Sequence, residues 1–117
     1  MLDLINPLFA LISIGLGLIG WLAPHYTLKL LELRLGDGTM GLSEMRAVSG
    51  ALFVGLGAGA LLLGSAEAYL MVGAAWTFAA LGRLTSIVAD GPASRTKWIF
   101  FAVEAVVGIA LIALNVG

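Results

Sequence analysis

Residues 43–63 read SEMRAVSGALFVGLGAGALLL. No charge follows Arg46 in this stretch. A run of this length matches a bilayer hydrocarbon core of about 30 Å. It is too long for a soluble strand and too apolar for a surface helix. Small residues recur every fourth position at Ala47, Ala51, Gly55 and Gly59. That row contains a GxxxG element, the pattern that lets helix backbones approach closely in lipid. Arg46, Ser49, Gly50, Phe53 and Gly57 form a second, small and polar stripe on the same helix.

Similar runs flank it. Gly64-Ser65 leads almost directly into an apolar run over residues 66–89, which Asp90-Gly91-Pro92 stops. A further run covers residues 95–116. Upstream, residues 7–23 form a shorter one, with Asn6 placed to cap it and Pro7 suited to its first turn. The short connections make antiparallel neighbours the default. The fold expected is all-α: an integral membrane four-helix up-down bundle, one four-span domain over residues 1–117, with a short interfacial segment between helices one and two. In that segment, residues 25–42, leucines alternate with Lys29, Glu32 and Arg34, so it lies in the interface and does not cross. Ser43 is the N-cap expected for the second span.

Composition agrees. Of 117 residues, 61% are hydrophobic and 11% charged, against roughly half and a quarter in soluble domains. Mean hydropathy is +1.07. The 16 glycines sit inside apolar runs, which suits helix packing and not a flexible linker. The absence of Cys removes disulfides and thiolate metal sites. A net charge of −1 offers no basis for nucleic-acid binding. The N-terminal stretch has no Lys or Arg and no small-residue cleavage site, so the first span is read as retained.

Lys29, Arg34, Arg46, Arg83, Arg95 and Lys97 all fall on one side of the implied membrane. The positive-inside rule then places the first and third loops in the cytoplasm and both termini in the periplasm. Trp21, Tyr26 and Trp98 near the cytoplasmic interface, and Tyr69 near the outer one, make an aromatic belt.

Glu44, Arg46, Arg83, Asp90 and Glu104 map to one leaflet. Arg83 lies seven residues before Asp90 and Glu104 seven after Lys97, so both are about 10 Å deep. A lone charge at the centre of a span costs roughly 3 kcal/mol on insertion scales. Pairing lowers that cost. Arg46 and Arg83 are therefore expected to meet Glu104 and at least one of Glu44 and Asp90. The bland reading makes this network a structural register pin. The sharp one makes Glu104 a protonatable or substrate-binding group. Gly50, Gly55, Gly59, Gly82 and Gly108 are the expected helix-packing positions.

Glu44-x-Arg46-x-x-x-Gly50, then Gly82-Arg83-x-x-Ser86 with Asp90-Gly91, then Glu104, resemble a family of small four-helix bacterial membrane proteins, domain-of-unknown-function family 4345. The resemblance covers nearly the whole chain and is weakest in the first span and loop. It implies a multi-pass protein of the bacterial inner membrane, and no activity. It would make Glu44, Arg46, Gly50, Gly82, Arg83, Ser86, Asp90 and Glu104 the signature positions.

Other chemistry is thin. His25 is the single histidine, so neither a zinc triad nor a bis-histidine haem site can form. Met40, Met45 and Met71 read as packing or interfacial residues, and Trp76 as packing or lipid contact. Glu67 suits the dipole at the start of the third helix. No catalytic residue, metal or cofactor is expected. The leading expectation is a non-enzymatic accessory or scaffold subunit of a larger bacterial membrane complex, possible hosts including photosynthetic or respiratory ones. Its partners would be the lipid bilayer and other membrane-protein subunits or copies of itself, with no nucleic acid. The alternatives are a small transporter or proton pathway using Glu104, and an anionic-lipid-binding protein gripping phosphate through Arg46 and Arg83.

Overall fold

The computed structural model describes residues 2–117, with side chains described from Leu4 onward. The described chain is all-α. Its elements are α1 (Leu2–Leu22), α2 (Pro24–Leu30), α3 (Met40–Arg46), a π-helical stretch (Ala47–Ala51), α4 (Leu52–Leu63), α5 (Ala66–Ala89) and α6 (Arg95–Asn115). From α3 through α4 the helix is continuous, Met40–Leu63. Four helices are thus long and apolar enough to cross a membrane: Leu4–Leu22, Met40–Leu63, Ala66–Ala89 and Arg95–Asn115.

Two compact units partition the chain: residues 7–62, and residues 63–117 together with the N-terminal residues through Asn6. In the second of these, α5 and α6 form a helical hairpin. Ser65 caps α5 by accepting from the Ala68 N–H, and Ser94 caps α6 by accepting from the Lys97 N–H. Both caps satisfy N–H groups that a helix start leaves without partners. The two turns use glycine where the backbone goes left-handed, Gly64 at φ +62° and Gly91 at φ +83°. Lipid provides no hydrophobic drive between helices, so close backbone packing must supply the contact. At Gly73 an added Cβ would lie 2.8 Å from the Leu111 Cβ; at Gly108 it would lie 2.5 Å from the Thr77 nitrogen. Such distances leave no room for a side chain. The Thr77 hydroxyl at this crossing is buried and makes no hydrogen bond among the described residues.

In the other unit, α1 packs on the Met40–Leu63 helix. A Cβ at Gly17 would lie 2.6 Å from the Gly50 carbonyl oxygen, and one at Gly57 2.5 Å from that of Ala10. Gly20 meets the Ser49 carbonyl, and Gly50 meets the Trp21 backbone. Ser13 Oγ donates to the Phe53 carbonyl at 2.9 Å. The helix contact therefore runs through Gly17, Gly20, Gly50 and Gly57. At Gly55, Gly59 and Gly82 a Cβ would meet nothing within 4 Å. The row from Ala47 to Gly59, expected to carry close packing, faces away from α1 because the small stripe through Gly50 and Gly57 is taken instead.

Two boundaries differ from the sequence reading. Pro7 is inside α1, not at its first turn, and Asn6 does not cap it. Instead the Asn6 and Asn115 amides exchange two hydrogen bonds, each 2.8 Å. Pro24 opens α2, where its missing N–H costs nothing. The second long helix starts at Met40, with Thr39 at the N-cap and Ser43 already inside. Tyr69, expected in the aromatic belt at the outer interface, is buried, while Trp21, Tyr26 and Trp98 are exposed.

Candidate functional site

The α5–α6 hairpin carries the charge that matters most. At its turn, Lys97 Nζ donates to the Asp90 carbonyl at 3.1 Å. From there each helix climbs seven residues, about two turns, and returns the same face. Arg83 on α5 and Glu104 on α6 stand at that level. Arg83 Nε lies 3.2 Å from Glu104 Oε1, and Nη2 lies 2.8 Å from Oε2. Two parallel N–H···O bonds of this kind are the strong, geometry-specific form of ion pair. The Glu104 side chain is 10% exposed and that of Arg83 32%. Phe100, one turn before Glu104, places its ring 5.2 Å from the guanidinium carbon, a cation–π contact on the same arginine. Trp98 and Phe101 meet edge to face at 5.8 Å.

Arg46 is used differently. Its Nη1 donates to the Trp21 carbonyl at 2.8 Å. Trp21 lies in the last turn of α1, where carbonyls lack intrahelical donors and the dipole is negative. A cation there is stabilising, and Arg46 thereby fastens the end of α1 to the start of the second long helix. The π-helical stretch follows Arg46 immediately, at the point where Gly50 meets the Trp21 backbone.

The expected five-residue network thus resolves into one ion pair and one helix-end contact. Among the described residues, neither Glu44 nor Asp90 forms a side-chain ion pair. Both are exposed, so solvent or headgroups lower the cost of their charge without a partner. Asp90 acts through its backbone, as the C-cap of α5 and the acceptor for Lys97. Ser86 likewise contributes its carbonyl, to the Asp90 N–H. Of the expected packing glycines, Gly50 and Gly108 stand in close helix contacts. Among the described residues, no three His, Cys, Asp or Glu side chains are grouped so as to hold a metal ion.

Two features escaped sequence reading. The Asn6–Asn115 amide pair joins residues 109 positions apart, and Asn115 Nδ2 also donates to the Leu111 carbonyl at 2.7 Å. Polar residues at the two ends of the described chain were its only signal. The second is Glu32, a non-glycine residue at φ +60°. Glycine would have announced that bend; glutamate does not.

Comparison with known proteins adds the family. No curated protein and no solved structure matches the chain. A family model described as a domain of unknown function, DUF4345, matches residues 1–115. The ion pair, the capped hairpin and the helix-end arginine all lie within that match, and the chain belongs to the DUF4345 family.

Proposed function

We propose that this chain is a non-catalytic integral membrane protein that serves as an accessory or scaffold subunit of a larger bacterial membrane complex. The observation that carries the reading is the state of Glu104. A buried carboxylate in a membrane helix is by default a candidate for transport or proton transfer. Here both of its oxygens are held by Arg83, whose guanidinium is further engaged by Phe100. A carboxylate closed in this way fixes helix register and presents nothing to a substrate. The transport reading requires that it change partners, and the two-pronged contact opposes that.

A partner subunit is favoured by the open row on α4. A Cβ at Gly55 or Gly59 would meet nothing within 4 Å, so another helix can approach that face closely. We place the pair in the inner membrane, on the cytoplasmic side, with both termini in the periplasm, following the one-sided distribution of Lys and Arg.

The test is purification from native membranes in mild detergent, with native mass measurement and subunit identification. Stoichiometric comigration with a larger assembly is the expected result. A lone monomer or small homo-oligomer would overturn the accessory-subunit reading. Proton-linked or solute flux in vesicles that Glu104→Gln abolishes would establish transport in its place.

A further inference from the structure

The segment joining the first two long helices is built around an unusual helix end. α2 closes with the Glu32 N–H donating to the Lys29 carbonyl at 3.2 Å and the Leu33 N–H to the Leu28 carbonyl at 2.8 Å. This pair of bonds is a Schellman motif, in which the residue after the C-cap adopts the left-handed conformation. Glycine is the usual occupant because a Cβ is unfavourable there. Here the residue is Glu32. A non-glycine residue held in this region is a reason to look for a role.

Its surroundings suggest one. A groove of about 700 Å³ is lined by His25, Leu28, Lys29, Glu32, Leu33 and Arg34, with Leu35 at its edge. Its lining comes from the segment that joins α1 to α3, and with both long helices spanning a bilayer that segment falls at the level of lipid headgroups. Two basic side chains, Lys29 and Arg34, line it with one carboxylate, Glu32. Leu33 and Leu35 are exposed and supply apolar surface for acyl-chain contact. A purely anionic headgroup would be served by the cations alone and opposed by Glu32. A headgroup with both a phosphate and a primary ammonium uses all three charges.

We propose that this groove binds the headgroup of a zwitterionic aminophospholipid. Lys29 and Arg34 hold the phosphate, and Glu32 accepts hydrogen bonds from the ammonium. A left-handed glutamate then has a purpose that glycine could not fulfil. The proposal rests on membrane insertion and is independent of the accessory-subunit reading.

The experiment is native mass spectrometry of the full chain in detergent, titrated with phosphatidylethanolamine, phosphatidylglycerol and phosphatidylcholine of matched acyl chains. Phosphatidylethanolamine should bind roughly threefold to fivefold tighter than the other two, the range an exposed charge pair supplies. Glu32→Gln and Glu32→Gly should both abolish the preference over phosphatidylglycerol while retaining binding. Glu32→Gly also relieves the backbone, and its thermal unfolding without lipid separates loss of selectivity from loss of fold. Joint replacement of Lys29 and Arg34 by Gln should weaken all three lipids. Tightest binding of phosphatidylglycerol in the native chain would overturn the proposal in favour of a simple anion site. Equal binding of the three lipids, or unchanged selectivity in both Glu32 variants, would overturn it outright.

Discussion

Arg83 grips both carboxylate oxygens of Glu104 across the α5–α6 hairpin, at 3.2 Å through Nε and 2.8 Å through Nη2. Each partner makes the other tolerable in an apolar setting, so removing one leaves an uncompensated charge. Glu104→Ala should destabilise the chain by about 3 kcal/mol, the usual cost of breaking a buried pair. Replacing both residues by Met should recover most of that loss, because a well-packed apolar pair often equals a buried ion pair. Reversible unfolding in mixed detergent measures both, with Arg83→Met and Glu104→Met as the single variants of a double-mutant cycle. A double variant as unstable as the sum of the singles would show that the pair contributes no coupling.

The glycines divide into two classes with opposite expectations. A Cβ at Gly108 would strike the Thr77 backbone, and one at Gly20 the Ser49 carbonyl. Backbone cannot move aside as a flexible side chain can. Gly108→Ala and Gly20→Ala should each cost about 1–3 kcal/mol or more. Gly82→Ala meets nothing and should stabilise by about 0.5–1 kcal/mol through helix propensity alone. The same unfolding assay ranks the three.

How far this could be read from the sequence depended on whether the determinant was local. Ala66–Ala89 was readable to the residue, since Ser65 and Asp90-Gly91-Pro92 are local start and stop signals. The meeting of Arg83 and Glu104 was readable because a short turn makes equal distances from it face each other. Choice of packing stripe was not: α4 offers small residues on two faces, and only the shape of α1, with Gly17 and Gly20, selects the one through Gly50 and Gly57. Depth alone places Arg46 in the ion network. Its use at Trp21 depends on which helix end packs beside it, a long-range contact that no local signal announces. Glu32 was hidden for a related reason, since the chain bends there without the usual glycine.

The Asn6–Asn115 pair is reciprocal, each amide donating to the other at 2.8 Å. Polar contacts of this kind between membrane helices are worth about 0.6–2 kcal/mol. Asn6→Ala should lose that amount, and Asn115→Ala slightly more, because Asn115 also donates to the Leu111 carbonyl. Hydrogen exchange at the last turn of α6 should accelerate in both variants. Unchanged protection in Asn6→Ala would mean that the pair does not hold that turn.

Glu32 gives the sharpest separation of stability from role. Its left-handed backbone costs a residue with a Cβ about 1–2 kcal/mol relative to ordinary helix geometry, a cost glycine escapes. The hydrogen bonds from Glu32 and Leu33 to the Lys29 and Leu28 carbonyls use backbone alone, so Glu32→Gly keeps them. Glycine has more freedom to lose on folding, which offsets part of the gain. The variant should therefore be more stable by up to about 1 kcal/mol, while Glu32→Gln should match the native chain. Thermal unfolding in detergent without added lipid compares the three chains. A less stable Glu32→Gly would show that the carboxylate itself holds the segment, and would move Glu32 from a ligand-facing position to a structural one.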